Sequence, residues 1–369
     1  MPPSPAFPPL LVNQPEIDKA CDEIEASPSL AIDTEFVRTR TYAPQLGLVQ
    51  IAVNGLKLCV DPLSDADMSR MWALLYDPER SVILHSGKQD MEVLWFERGA
   101  VLGNLVDTQA CAALLGYPAQ IGYAGLVQEL LGITVSKEQT RTDWTRRPLS
   151  DAQLSYAAED VAHLHPLHEL LRERLIAQDR YGWALEDSAA LSDPALYEPD
   201  PDGAWQRIKS VPYLPGEQQA RARALAAWRE QQAVSLDKPR QWILTDAVLL
   251  DLAARDPQSP AALAALGDLP ASVARKHGDA LLAALAAGNE LYAQAPEHFV
   301  QSTPDGDQEK ARLKRLMQKV RAKAAELGME PEVLASKRDI NDMLRGAERC
   351  RVLNGWRSEI IGRELQAAA

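Results

Sequence analysis

Two apolar runs, Leu46–Val53 and Leu56–Asp61, stand on either side of Asn54-Gly55. Asn-Gly accepts the positive φ angles of a tight reverse turn at little steric cost, so between apolar runs it commits the chain to an antiparallel hairpin. The segment before it, Ser29–Arg38, starts apolar and turns polar, as a strand does that leaves a core and reaches a sheet edge. After the hairpin the rhythm changes. The periodicity predicts a helix over Asp65–Tyr76, a short buried strand over Ser81–His85, a helix over Lys88–Glu97 and a strand over Leu102–Val106. From Asp107 the pattern is helical and ends in one long helix over Ser150–Asp179. Antiparallel strands followed by strand–helix alternation give an α/β mixed sheet with helices on its faces.

The remainder of the 369-residue chain is all-α in period. A Pro- and Asp-rich stretch over 192–204 reads as a linker. Helices are expected over Gln218–Gln232, with Leu225 and Trp228 on one face, and as short apolar segments over Asp246–Ala254 and Ala280–Ala287. A second linker runs from Ala295 to Asp307 and turns at Pro304-Asp305-Gly306. The spacing Leu225…Trp228-Arg229…Ile243 returns, one residue shorter in its later gap, as Leu316…Val320-Arg321…Leu334, which suggests two related helical modules. Length and linkers predict three domains, over 1–195, 205–292 and 300–369.

The net charge of −13 argues at first against a polyanionic partner, but it is unevenly placed. Residues 1–190 hold 15 Lys+Arg against 27 Asp+Glu, and residues 191–369 hold 24 against 25. The excess sits in the α/β half, where bound cations would offset part of it. Cys21, Cys59, Cys111 and Cys350 show no CxxC spacing and fit reduced thiols. No apolar run approaches the length of a membrane span, and Met1-Pro2-Pro3-Ser4-Pro5 lacks the basic start and apolar core of a signal peptide. A cytoplasmic protein is expected.

Acidic residues in three segments carry the chemistry. Asp33 and Glu35 lie two apart on a strand, so both side chains leave one face. Tyr156 and Asp160 lie four apart on a helix and also share a face. Asp90 falls in the first turn of its helix, where the dipole favours a carboxylate. If the four acids converge they repel one another until divalent cations occupy the site. All-oxygen ligands suit Mg²⁺ or Mn²⁺ rather than zinc. Two such ions can flank a scissile phosphate, as in metal-dependent phosphodiesterases. Glycoside hydrolysis, the rival use of paired carboxylates, gives no reason for a third and a fourth. A phenol with a pKa near ~10 is a poor base at neutral pH, so Tyr156 suits holding a water in line for attack.

The run Asp33–Tyr42 with Pro44–Gln50, the stretch His85…Asp90-Met91-Glu92-Val93, and the run Arg141–Leu149 closely resemble ribonuclease D, in the tyrosine subgroup of the DEDD exonucleases. That resemblance covers about residues 10–180. It implies a ribonuclease H-like fold and a 3′→5′ exoribonuclease that releases nucleoside 5′-monophosphates from RNA 3′ ends, notably those of tRNA precursors. By position it implies that Asp33 bridges two cations, that Glu35 and Asp160 hold the one that activates water, that Asp90 helps hold the second, and that Tyr156 orients the nucleophile. Residues around 214–290 and 308–369 resemble HRDC modules, which are implied to bind nucleic acid. The first is not conspicuously basic. The second opens with Lys310, Arg312, Lys314, Arg315, Lys319, Arg321 and Lys323, a helix suited to tracking phosphates.

Phe36 is a candidate to stack on the terminal base, and His85, at a strand end, is a candidate substrate contact. Arg38, Arg40, Arg146 and Arg147 flank the motifs, and an acidic domain that holds RNA needs such local cations. Trp144 is assigned to the core. His163, His165 and His168 lack zinc-like partners and are not read as a metal site. A monomer is expected. Two alternatives stand beside the exoribonuclease reading: a DNA 3′→5′ exonuclease on the same fold, and a catalytically silent RNA-binding scaffold.

Overall fold

The computed structural model describes residues 8–136, 142–302, 306–347 and 349–369. Met1–Pro5, Arg141 and Pro304-Asp305, all invoked above, lie outside the described residues. The chain forms two compact units. One comprises the chain up to Val37, Pro44–Tyr197 and Asp307–Ala369; the other comprises Arg38–Ala43 and Glu198–Gly306.

The first unit is built on a six-stranded sheet: β1 (Leu10–Leu11), β2 (Ser29–Val37), β3 (Gln45–Val53), β4 (Leu56–Val60), β5 (Ser81–Leu84) and β6 (Leu105–Asp107), in the order β1-β4-β3-β2-β5-β6. The Asn54-Gly55 turn closes the β3–β4 hairpin with both residues at positive φ, 51° and 78°. β2 pairs antiparallel with β3 and parallel with β5, and β5 pairs parallel with β6. The sheet is therefore mixed, as the residue pattern predicts. Nine residues of β2 alternate between two cores. Leu30 and Ile32 face a core with Ile17 and Ile24 of α1 (Gln14–Glu25), Met71 of α2 (Ser69–Leu75) and Met91 of α3 (Lys88–Arg98). Ala31 faces the opposite core, with α4 (Thr108–Leu114), α5 (Tyr123–Leu131) and α7 (Leu164–Ala177), and on that side Leu48 of β3 packs under α6 (Asp151–Ala162). α8 (Tyr181–Ala189) completes the layer.

The long helix expected over Ser150–Asp179 is two helices, α6 and α7, separated at His163. Pro166 cannot donate to the carbonyl four residues before it, and its ring crowds that turn. The break has a second cause. The N–H of His163 would ordinarily bond to the Glu159 carbonyl. Instead it donates to the Tyr123 hydroxyl at 3.1 Å, which donates onward to that carbonyl at 2.7 Å. A side chain from α5 is thus inserted into the helical ladder at the turn that contains Asp160, between Glu159 and His163.

The second unit is helical: α9 (Gly216–Ser235), α10 (Arg240–Ile243), α11 (Asp246–Arg255), α12 (Pro260–Ala264) and α13 (Ala271–Gln294). The segment expected as a short helix over Ala280–Ala287 is the middle of the 24-residue α13, because the polar residues before it form the helix's solvent face rather than a break. Gly288 lets α13 lie directly on α9, since a Cβ there would sit 2.6 Å from the Arg221 Cα. The Arg38–Ala43 segment is held in this unit. The Tyr42 hydroxyl donates to Glu230 at 2.5 Å, and the Tyr42 and Ala43 N–H groups both donate to Asp237.

The last helices, α14 (Asp307–Leu327), α15 (Pro331–Leu334) and α16 (Lys337–Leu344), belong to the first unit, and their apolar faces share one core with α4, α5 and α7. Buried Arg357 donates through Nε to the Val333 carbonyl at 2.9 Å and forks onto both oxygens of Asp187 in α8. Trp356 stacks on Trp183, with ring centroids 4.5 Å apart.

Candidate active site

The site lies where β2 and the first turn of α3 meet α6. Asp33 and Glu35 leave β2 on the α6 face, as their spacing predicts. Ligand oxygens of Asp33, Glu35 and Asp160 come within 4.8 Å of one another. A register shift between Glu35 and Phe36, opposite Gly47, interrupts the regular ladder just beyond them before pairing resumes at Leu46. Asp160 is presented by α6, whose start is fixed by a capping box between Ser150 and Gln153.

Asp90 is brought to the same cavity from α3, but it is held apart from the other three acids. Its Oδ1 accepts from the Thr34 N–H at 3.0 Å and the Thr34 hydroxyl at 2.6 Å. Asp107 in turn sets the start of α3: its carboxylate accepts the N–H groups of Ser86 and Gly87, at 2.9 and 3.1 Å. Gly87 gives the Leu84 side chain room there, since a Cβ would sit too close to a Leu84 methyl and displace it.

The electrostatics are those of a site short of positive charge. Burial, then Asp90, Asp160 and Glu35, raise Asp33 well above the usual carboxylate range. Burial, then Asp160 and Asp90, raise Glu35 to about 8. Burial raises Asp160 to about 7 against a hydrogen bond from Tyr156 that lowers it, and raises Asp90 to about 6 against the Thr34 bonds. Burial and the neighbouring acids raise Tyr156 too, which keeps its phenol protonated at neutral pH. Hard oxygen donors, partly dehydrated and mutually repelling, fit divalent Mg²⁺ or Mn²⁺.

A cavity of about 500 Å³ opens onto Asp33, Glu35 and Asp90, lined also by Phe36, His85 and Trp144 among others. Phe36 is half-buried: it packs against the core on the α3 side and reaches the cavity. His85 also lines it, with both ring nitrogens engaged, Nδ1 with Thr108 at 2.9 Å and Nε2 with the Ile121 carbonyl at 2.9 Å. Burial lowers its pKa, so it stands neutral. Trp144 is in the core at 1% exposure, as assigned.

The flanking arginines divide. Arg147 forks onto Asp61 at 2.7 and 2.6 Å and also donates to the carbonyls of Trp144 and Gly47. It clamps the Trp144 loop to the sheet and is committed to protein partners. Gly47 lies so close to that loop that a Cβ would sit 2.6 Å from the Trp144 carbonyl oxygen. Arg146 is exposed on the same loop. Arg38 and Arg40 belong to the second unit, where Arg38 lines a cavity with Tyr42, Arg207 and Arg240. His165 and His168 bond to the Ala52 carbonyl and the Tyr181 hydroxyl, and no metal cluster containing them occurs among the described residues.

Reasoning from the sequence missed Thr34, Asp107, Asp61 and Tyr123. Thr34 had a signal, since it stands between the paired acids. The other three act through pairings that no local spacing reveals.

A family model described as a 3′-5′ exonuclease matches residues 11–176. An HRDC domain model matches 218–285, and one for the ribonuclease D C-terminal HRDC domain matches 308–365. Fold and matches together define a 3′–5′ exonuclease followed by two HRDC domains. The ribonuclease D of Acidiphilium cryptum (strain JF-5) is 36% identical over 99% of this chain and 94% of its own length. That of Gluconacetobacter diazotrophicus (strain ATCC 49037) is 36% identical over 98% and 92%. A crystal structure of Escherichia coli RNase D, described as an exoribonuclease involved in structured RNA processing, aligns with a TM-score of 0.87 at 31% identity, covering 98% of both chains. The chain belongs to the ribonuclease D family and is a 3′–5′ exoribonuclease.

Proposed function

We propose that Asp33, Glu35, Asp90 and Asp160 hold two divalent cations, Mg²⁺ or Mn²⁺, and that Tyr156 orients the water that attacks the terminal phosphodiester of an RNA 3′ end. The observation that carries this reading is the convergence of Asp33, Glu35 and Asp160 within 4.8 Å. Bound cations would supply the charge that the acids lack, activate water and stabilise the leaving oxygen. The protein's own part is positional. Water adds to phosphorus in line with the 3′ oxygen, the P–O3′ bond breaks, the departing oxygen is protonated, and a nucleoside 5′-monophosphate leaves. Tyr156, protonated and paired with Asp160, serves as a hydrogen-bonding guide for that water and not as its base. Phe36 and His85 are proposed to bear on the terminal nucleotide, and Arg38, Arg40 and Arg146 on backbone phosphates.

The preferred substrates on this reading are tRNA precursors, handled by a cytoplasmic monomer of three modules over 1–195, 205–292 and 300–369. Four buried, unpaired cysteines fit a reducing compartment. No helix among the described residues is long and apolar enough to cross a membrane. The exposed Lys310, Lys314, Arg315 and Arg321 of α14 are proposed to track RNA phosphates.

A Mg²⁺ titration with product analysis on matched RNA and DNA oligonucleotides tests the reading. Metal-dependent release of 5′-monophosphates from RNA is expected. Metal-independent cleavage would contradict the cation assignment, and equal cleavage of DNA would favour the alternative substrate. Tyr156→Phe should slow single-turnover hydrolysis about 10–100-fold while sparing Mn²⁺ binding. An unchanged rate removes its role.

A further inference from the structure

Gln50 is 0% exposed, yet among the described residues neither its Oε1 nor its Nε2 has a hydrogen-bond partner. A buried amide left unpaired opposes folding, so one in a central strand calls for an explanation. The register gives its surroundings. Gln50 stands directly opposite Asp33 on β2 and opposite Cys59 on β4. Residues opposite one another in an antiparallel ladder share a face, with Cβ atoms about 4.5–5.5 Å apart. Along β3 its neighbours on that face are Leu48 and Ala52, and α6 covers the face with Leu154, Ala157 and Ala158. Cys59 directs its Sγ to the Leu154 carbonyl at 3.9 Å. The ladder thus sets a donor-bearing amide with no partner beside an acid whose carboxylate neighbours all repel it.

We propose that Gln50 is a positioning residue for Asp33: its amide NH₂ reaches the Asp33 carboxylate through one buried water and fixes that carboxylate in the orientation a cation requires. Outer partners of ligating carboxylates act in this way and typically matter 10–100-fold in metal affinity. The inference rests on the cation assignment above. An ordinary core residue would serve packing better as Leu or Met, which fill similar volume without an unpaired amide.

The test is Gln50→Leu, with Mn²⁺ binding by titration calorimetry and thermal unfolding of the metal-free protein. The metal-free variant should unfold at or above the wild-type temperature, and its Mn²⁺ affinity should fall at least about tenfold. Affinity within twofold of wild type, with or without a loss of stability, overturns the proposal. Gln50→Met repeats the measurement if Leu disturbs packing, and failure of both to fold assigns Gln50 to the core instead. Asp33→Asn separates the two levels. If wild type binds Mn²⁺ no better than Asp33→Asn, the cation assignment fails. If it binds better and Gln50→Leu matches it, only the role of Gln50 fails.

Discussion

Two places in the first unit bury charge, and they do so in opposite ways. Where the last helices meet α8, buried Arg357 faces Asp187 with all three guanidinium nitrogens donating and its charge cancelled. Between β2, α3 and α6, three carboxylates converge with Asp90 close by, and among the described residues no Arg or Lys forms an ion pair with any of the four. The first arrangement is complete and ties two parts of the chain together. The second is under electrostatic stress that the fold tolerates, and cations would relieve it. Buried charge is therefore no guide to function until its balance is known; an unbalanced cluster marks where something else must bind.

The contrast can be broken by mutation. Asp33→Asn should lower the single-turnover rate on a 3′-hydroxyl RNA on the order of 10³-fold, while the metal-free protein unfolds at the same or a higher temperature because one repelling charge is gone. A wild-type rate would remove Asp33 from the chemistry. Arg357→Leu should do the reverse. Half-buried Asp187 would keep only the Trp356 indole N–H, a loss of about 1–3 kcal/mol that denaturant unfolding would register, and activity of the folded fraction should persist. An unchanged midpoint would show that the pair is dispensable.

The difference should also appear against pH. Burial and neighbouring acids raise Asp90, Asp160 and Glu35 to about 6, 7 and 8 in the fold, above the ordinary carboxylate range. Across about pH 4 to 8 the metal-free fold therefore holds more protons than the unfolded chain, and stability falls as pH rises through that window. Melting temperatures in chelator should decline from pH 5 to pH 8, and Mg²⁺ should reverse the decline. A flat profile would show that the acids are not stressed. The smallest effect is expected at Tyr123→Phe, which removes the hydroxyl between His163 and Glu159 at about 1 kcal/mol and slows hydrolysis a few-fold by loosening the turn after Asp160. Full activity would mean that the ladder closes without it.

What the sequence discloses follows from how local each cause is. The Asn54-Gly55 hairpin is a two-residue signal, and the shared faces of Asp33 with Glu35 and of Tyr156 with Asp160 follow from strand and helix periods alone. The restraint of Asp90 by Thr34 joins residues 56 apart. The break at His163 depends partly on Pro166, which is visible, and partly on Tyr123, which is 40 residues away. The commitment of Arg147 to Asp61 could not be told from a cation awaiting phosphate, because an arginine beside a motif reads the same in both cases. The continuity of the last helices with the core under α4 and α7 was hidden for the same reason: an apolar helix face does not name what it packs against.

The central claim is that Asp33, Glu35 and Asp160 form a cation site which the fold leaves electrostatically incomplete. Anomalous diffraction from crystals soaked in Mn²⁺ tests it directly. The account predicts a peak at coordination distance from carboxylate oxygens of all three residues that disappears in Asp33→Asn. No peak there at millimolar Mn²⁺, or the same peak in the variant, would contradict it.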